Sequence, residues 1–463
     1  MLQVVKRLFL IGALAAGMLD GCAPKPQSLP ITHSLSIQTS KEPGQEVDRL
    51  AESVVIHQGL PGLSFAIARR GKIVYAGGVG YEAPGGRAVA GPNSIYDIGS
   101  ISKQFTAAAI LQLRNRRKLT LDERIAKYFP DYSHADGITI LDLLTQKSGI
   151  PDYLYLPGYQ PDFTPGQIVQ LVDTAPLTTR PGTRFEYSNT NYVMLGSIAS
   201  TAAGQELSQY FTQHMFEPLG LHDTAPCAYV TAANLADAGI CSSAVDLATW
   251  DMALLSGKVL DATTLAQMFT PAPHGDEATI GYGYGVRVGN LLGFREIFHR
   301  GEFGDYSGLN AMFPDQQFAI VLLSPSASFQ GDYLAERILG LYYQEALRYR
   351  EKPVPMTERD KATQSLAEAL WRAIATGDTG HIEEQVHFTS GQLNRIGSGA
   401  FDDLVTQSRG FGALRSFQML AKDSRYLGSL YTYRLRFDRA VVQMRLGTRP
   451  DGTVWDVALE RED

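Results

Sequence analysis

The sequence predicts an α+β fold: an antiparallel sheet flanked by helices, followed by a small C-terminal α+β domain. Three observations predict it. Two strand-like runs, Leu63 to Ala68 and Lys72 to Gly77, meet at Arg70-Gly71, a hairpin signal. Phe294 to His299, Gly308 to Phe313 and Phe318 to Leu323 then follow one another as an antiparallel meander. Beyond Pro353-Val354-Pro355 a helix precedes four further strand-like runs.

The chain has 463 residues, 44% of them hydrophobic, and a net charge of -7. That length accommodates two or three domains and a sizeable core. Mild acidity without a basic cluster argues against nucleic acid as a partner. Residues 1 to 22 read as an export signal: Lys6 and Arg7 precede an apolar run from Leu8 to Leu19, too short to span a bilayer. The run ends in Leu19-Asp20-Gly21-Cys22. This resembles a bacterial lipobox, which would make Cys22 a lipidation site and the protein a periplasmic lipoprotein, anchored to the membrane only through that lipid. Asp20 departs from the small uncharged residue usual there, which leaves cleavage without lipidation as the alternative. Residues 23 to 45 carry Pro24, Pro26, Pro30 and Pro43 without periodicity, and read as a tether.

The main domain spans about 46 to 349. Glu46 to Val55 reads as its first helix, and the hairpin follows. Tyr96-Asp97-Ile98-Gly99-Ser100-Ile101-Ser102-Lys103 comes next, a glycine turn entering a helix with Phe105, Ala109 and Leu113 on one stripe. Ser100 and Lys103 lie three apart and share a helix face, so the amine reaches the hydroxyl. An alcohol near neutral pH is a poor nucleophile until a base takes its proton, and a lysine whose pKa is lowered by burial is such a base. The helix N-terminus offers backbone N–H groups to a developing oxyanion.

Two further pieces follow in order. Tyr187-Ser188-Asn189 is the only Y-x-N in the chain, as Ser100 to Lys103 is its only S-x-x-K. The phenol suits proton transfer to a leaving group, and the amide suits holding a substrate carbonyl. His299-Arg300-Gly301 precedes an apolar strand. Gly301 lets a backbone edge approach the acyl group, and the N–H of Glu302 gives a second oxyanion donor beside that of Ser100. Read alone, each piece is an ordinary loop or surface helix; their order and company make a site.

Taken together these motifs resemble the serine hydrolases related to class C β-lactamases, D,D-carboxypeptidases, D-aminopeptidases and esterases of that fold. The resemblance covers roughly residues 46 to 349. It includes Leu60-Pro61-Gly62-Leu63-Ser64-Phe65-Ala66-Ile67, Ile138 to Thr145, Lys147 to Tyr153 and Phe216 to Thr224. It implies a β-lactamase/transpeptidase-like fold with an all-helical insert at about 119 to 237. It also implies an acyl-enzyme at Ser100, with Lys103 and Tyr187 moving its proton. Asn189, His299 and Gly301 would bind substrate, with His299 as a donor, and the N–H groups of Ser100 and Glu302 would form the oxyanion hole. No cofactor or metal is expected. The implied substrates are small D-peptides or esters, with β-lactams next; a non-catalytic wall-peptide-binding lipoprotein is the reading from another class. The family's lactamases and carboxypeptidases carry Lys then Thr or Ser where this chain has His299 and Arg300. Recognition of a substrate carboxylate is therefore open.

The remaining elements are read in order. Leu119 to Phe129, Ile138 to Thr145, Tyr192 to Ala203 and Glu206 to Phe216 are expected helices, with no convincing strand between 119 and 237. Cys227 and Cys241 either pair in an oxidising compartment or stand as buried thiols. Ser243 to Asp246 caps a helix running through Leu255. Gly281 to Gly289 is an aromatic-glycine strand, its spacing unsuited to a nucleotide loop. Strand alternation turns Arg300 and Glu302 away from His299 and toward each other, so the two are expected to pair. A helix from Asp332 to Tyr349 closes the domain. In residues 357 to 463, Leu366, Leu370 and Ile374 mark a helix, and strands fall at about 415–421, 426–437, 440–447 and 453–459. This segment is similar to cystatin-like or nuclear-transport-factor-like accessory domains and carries no catalytic constellation. Packing, dimerisation or lining the cleft is its expected role.

Overall fold

In a computed structural model, the described residues are 30–33, 43–272, 281–344, 356–376, 410–425, 428–449 and 452–462. The export signal, Cys22 and most of the tether lie outside them. No helix among the described residues is long and apolar enough to cross a membrane.

The chain opens with strand β1 (Ile31–His33) and helix α1 (Gly44–Gln58). The hairpin β2 (Gly62–Arg69) and β3 (Lys72–Gly80) follows, then β4 (Tyr96–Asp97) and α2 (Lys103–Asn115). The helical region holds α3 (Ile140–Leu144), α4 (Pro165–Asp173), α5 (Asn189–Ala203), α6 (Leu207–Phe211) and the one-turn α7 (Glu217–Leu219). Strand β5 (Ala225–Pro226), α8 (Ala232–Leu235), β6 (Ile240–Ser242), α9 (Ala244–Leu255) and α10 (Ala262–Met268) lead back to the sheet. That return consists of β7 (Gly281–Tyr282), β8 (Arg287–Leu291), β9 (Phe294–Phe303), β10 (Tyr306–Phe313), β11 (Phe318–Ser324) and α11 (Asp332–Tyr342). The C-terminal unit has α12 (Glu358–Thr376), β12 (Leu414–Arg425), β13 (Gly428–Phe437), β14 (Val441–Thr448) and β15 (Val454–Glu462).

The main sheet is antiparallel throughout, in the order β1-β3-β2-β11-β10-β9-β8-β7. Both faces are buried, which is why β11 reads as an unbroken apolar run. Phe318, Ile320 and Leu322 join the core under α1 and α11, while Ala319, Val321 and Leu323 join the core that includes α2 and α9. Side chains alternate along a strand, so one run supplies two cores. In the second core Phe105 of α2 packs 4.1 Å from Trp250 of α9, centroid to centroid. That packing holds the start of α2 against the sheet. The C-terminal sheet runs β12-β13-β14-β15 and buries Tyr431, Tyr433 and Leu435 against Leu370 and Trp371 of α12. It meets the main domain where Arg445 of β14 lies over the ring of Tyr333, 4.5 Å from its centroid, beside Glu336 of α11.

The α+β class and the meander are as the sequence predicts, but several elements differ. Part of the expected tether, Ile31–His33, pairs with Gly77 to Val79 of β3 and forms the sheet's edge. Leu119 to Phe129 contains only a short 3₁₀ turn, Ile125–Lys127. Its backbone is instead engaged with the entry to α3: Ile125 donates to Ile138, Ile140 to Glu123 and Leu141 to Leu121. An extended pairing wins over helix there because these groups find partners across the turn. Residues 119 to 237 contain one strand after all, β5, in a small sheet ordered β4-β6-β5. The glycine-rich stretch 281 to 289 is two strands around a turn. Gly285, with φ +71°, sits so close to the start of α2 that a Cβ there would come within 2.6 Å of the carbonyl oxygen of Lys103. Cys227 and Cys241 are joined as a disulfide.

Candidate active site

Ser100 lies in a 3₁₀ turn, Gly99–Ser102, that feeds directly into α2. Asp97 shapes the entry: its Oδ1 accepts the N–H of Gly99 (2.7 Å), and its Oδ2 accepts the hydroxyl of Tyr229 (2.8 Å). Gly99 has φ +50°, and a Cβ on it would stand 2.5 Å from the backbone nitrogen of Glu302. Strand β9 is thus pressed against the turn that carries Ser100. The N–H of Glu302 is brought beside that turn, where an oxyanion between Ser100 and Glu302 would need it.

Lys103 is fully buried, and its Nζ donates to three oxygens. These are Ser100 Oγ (2.9 Å), Asn189 Oδ1 (2.7 Å) and the carbonyl of Asp237 (2.8 Å). Tyr187 Oη donates to Ser100 Oγ, also at 2.9 Å. The serine oxygen therefore sits between an amine and a phenol contributed by different elements. The loop carrying Tyr187 is pinned by Gln146, whose Oε1 accepts the N–H of Ser188 (3.0 Å) and whose carbonyl accepts that of Glu186 (2.8 Å). Asn189 begins α5. Asp152 Oδ2 accepts its backbone N–H (3.1 Å) and its Nδ2 (2.8 Å), a carboxylate at a helix N-terminus. The Asn189 amide is thus engaged on both sides, with Lys103 and with Asp152. It positions the lysine, a role the sequence did not suggest.

His299 is buried on β9. Burial holds its imidazole well below the usual range, with Arg287 and Lys103 pushing the same way. The ring is neutral near pH 7. Its Nδ1 lies 2.6 Å from the carbonyl of Arg300. A carbonyl only accepts, so Nδ1 carries the proton and Nε2 is an acceptor, facing the hydroxyl of Tyr282 at 3.4 Å. The expected donor at this position is an acceptor instead. Nor does Arg300 turn to Glu302: it forms an ion pair with Asp332 and donates to Gln330 Oε1 (3.3 Å). Alternation along β9 holds, but α11 supplies the nearer carboxylate. Glu302 is exposed at the rim.

These groups line one cleft of about 680 Å³, which includes Ser100, Tyr187, Asn189, Arg287, His299 and Glu302. Gly301 lines it too. Arg287 was not legible in the sequence. It starts β8, is 6% exposed, and its guanidinium carbon sits 5.5 Å from the ring centroid of Tyr187 and 5.6 Å from that of Tyr282. A second cleft of about 790 Å³, bordered by Leu141, Lys147, Ala266 and Tyr284, holds none of the motif residues. Among the described residues no group of three or more His, Cys, Asp or Glu is placed to hold a metal ion.

Comparison with known proteins gives the same outline. The Beta-lactamase family model matches residues 47–342. PbpX of Bacillus subtilis (strain 168) is 26% identical over 315 residues, covering 62% of this chain and 77% of that protein. Protein flp of Staphylococcus aureus (strain MW2) is 32% identical over 187 residues, 39% of this chain; the match spans only 38% of flp. Among solved structures, the D-amino acid amidase of Ochrobactrum anthropi SV3, complexed with D-phenylalanine, aligns at TM-score 0.58 and 21% identity. That alignment covers 65% of this chain and 99% of the amidase. The octameric penicillin-binding protein homologue of Pyrococcus abyssi aligns at TM-score 0.59 and 21% identity, over 90% of this chain and 98% of its own. At these identities the structures speak for the fold.

Proposed function

This chain belongs to the Beta-lactamase family, a family of hydrolases, and from that premise we propose that it is an exported serine hydrolase that cleaves amide or ester bonds through an acyl-enzyme. The observation that carries the proposal is the position of Ser100 Oγ, 2.9 Å from both Lys103 Nζ and Tyr187 Oη. In the forward step Oγ bonds to the substrate carbonyl carbon, and its proton passes to the Lys103–Tyr187 pair. The carbonyl oxygen becomes an oxyanion between the N–H groups of Ser100 and Glu302. The bond to the leaving group then breaks as Tyr187 returns a proton to it. Water attacks the serine ester, the acid departs, and Ser100 regains its hydrogen.

The charges of the cleft support one substrate class. His299 brings no charge, so the buried cation Arg287 takes over the task of holding a substrate carboxylate, since a guanidinium fork matches one. A peptide or amide whose leaving portion ends in a carboxylate is the reading these residues favour, and the likeness to a D-amino acid amidase supports a D-residue on the acyl side of the scissile bond. Esters are the second substrates to try, β-lactams the third.

Labelling with a fluorophosphonate probe tests the core claim. The wild-type chain takes the label at Ser100 and Ser100→Ala takes none. A protein that only binds wall peptide stays unlabelled in both forms, and that result would remove the hydrolase reading.

A further inference from the structure

Lys103 must lose a proton before it can take one from Ser100, yet three acceptors surround its Nζ: Ser100 Oγ, Asn189 Oδ1 and the Asp237 carbonyl. That shell favours the ammonium. A full negative charge close by would hold it more firmly still. The side chain of Asp237 is such a group in waiting. It is 1% exposed, in the segment Ala236-Asp237-Ala238-Gly239 between α8 and β6. The segment is held in place by Thr106 of α2, whose hydroxyl donates to the carbonyl of Ala236 (2.7 Å). The Asp237 carboxyl receives one hydrogen bond, from Tyr153 Oη to Oδ2 at 3.2 Å, while Oδ1 is buried with no hydrogen-bond partner among the described residues. A buried ionised oxygen without a donor is costly, so this pocket accommodates the neutral acid better than the carboxylate.

We propose that Asp237 is a positioning residue for catalysis that titrates together with Lys103 and sets the pH at which the amine becomes a base. The proposal rests on the reading of Lys103 as the base for Ser100. Besides Lys103, three titratable groups act on Asp237: Asp152, Tyr153 and Tyr159. Burial pushes the Asp237 carboxyl up to about 7; the Lys103 charge pulls it down, Asp152 pushes it up, and Tyr153 favours the ionised form. Below neutrality Asp237 is a neutral acid and leaves Lys103 alone. As pH rises it ionises, and the resulting charge keeps Lys103 protonated to higher pH. The two groups then share one coupled titration.

The test is the pH dependence of Ser100 acylation, read as the nitrophenolate burst from p-nitrophenyl acetate between pH 5 and 10. Wild type, Asp237→Asn and Tyr153→Phe are compared, with Ser100→Ala as the blank. Asp237→Asn keeps the shape and removes the titration. Its rising limb is expected at lower pH, matching wild type below about pH 6.5 and running several-fold faster near pH 8. Tyr153→Phe removes the hydrogen bond that favours the carboxylate, so its limb moves the same way by less. It decides the matter alone if Asp237→Asn does not fold. Limbs that superimpose on wild type, move to higher pH, or fall in parallel at every pH overturn the role of Asp237. A wild type that releases no nitrophenolate, or a release that survives Ser100→Ala, removes the hydrolase reading beneath it as well.

Discussion

The carbonyl oxygen of Ile98 occupies the space where a Cβ on Gly301 would stand. Ile98 ends the approach to the Ser100 turn, and Gly301 sits opposite Gly308 in the β9–β10 pair. The contact brings the sheet edge and the nucleophile turn to backbone-to-backbone distance, which no residue with a side chain permits. Gly301→Ala therefore pushes β9 off the turn and takes the N–H of Glu302 away from the oxyanion. Fluorophosphonate labelling is expected to slow by about 10²-fold or more, the scale of losing one oxyanion donor. Overpacking costs about 1–3 kcal/mol, visible as a Tm lower by several degrees. Labelling at the wild-type rate would mean that Glu302 is not part of the hole.

Tyr187 and Arg287 separate chemistry from recognition. Tyr187→Phe removes the hydroxyl that donates to Ser100 Oγ at 2.9 Å and leaves the ring under Arg287. Its kcat is expected to fall about 10²–10⁴-fold, as for loss of a general acid, on peptides and esters alike. Arg287→Gln should instead raise KM for substrates ending in a carboxylate by about tenfold or more, because a buried charge-assisted pair is lost. Its hydrolysis of a neutral ester should stay within about twofold. Steady-state kinetics on a D-peptide and its C-terminal amide check this. Equal losses on both would show that Arg287 supports the fold of the cleft and does not read the carboxylate.

The contrast between these two residues shows what was legible in the chain. Ser100 and Lys103 could be read because a spacing of three fixes them on one helix face before any tertiary contact forms. Tyr187, Asn189, His299 and Gly301 were read from short motifs in order, and the structure brings all four to the same cleft. Arg287 and Asp237 belong to no motif, and Asp152 lies in the Lys147 to Tyr153 stretch with no role assigned to it; each matters only through what folds around it. Donor and acceptor roles were equally hidden. Whether His299 gives or takes a hydrogen bond depends on the Arg300 carbonyl 2.6 Å from its Nδ1, a fact of strand geometry. The β11 strand was plain from its apolar run, whereas Leu119 to Phe129 failed because backbone pairing with the start of α3 outweighed its apolar spacing.

His299 also sets an acid limit on stability. Burial, then Arg287 and Lys103, keep its folded pKa well below the unfolded value of about 6.5. Its neutral form is the folded one, so its contribution is complete above about pH 6.5. It is lost as pH falls from there toward the folded pKa, where the unfolded chain holds the extra proton. The slope from this one group approaches about 1.4 kcal/mol per pH unit. Asp97 and Asp237 run the other way: burial raises them to about 6 and about 7, so their contributions fade as pH rises. Comparing His299→Gln with wild type isolates the histidine. Urea midpoints at pH 7.5 and 5.5 should differ less in the variant. An equal drop in both proteins would place the acid sensitivity elsewhere.

The disulfide closes the segment that carries the third acceptor of Lys103. Cys227 and Cys241 are 14 residues apart, and between them lie Tyr229, which holds Asp97, and Asp237, whose carbonyl holds the lysine. Cys241 also pairs with Asp97 across β4 and β6. Closing a loop of that size removes about 3 kcal/mol of freedom from the unfolded chain. The double variant Cys227→Ala/Cys241→Ala is therefore expected to melt several degrees lower than wild type. It should also acylate more slowly, since both the amine and the Gly99 turn lose a fixed partner. Reduction of the wild-type protein should reproduce both changes, and reoxidation should restore them. The sharper readout is the order of loss on mild warming. If the segment holds the site, acylation declines at temperatures where the far-ultraviolet circular dichroism of the main domain is unchanged. If the two signals fall together, the bond stabilises the whole domain and has no separate hold on Lys103.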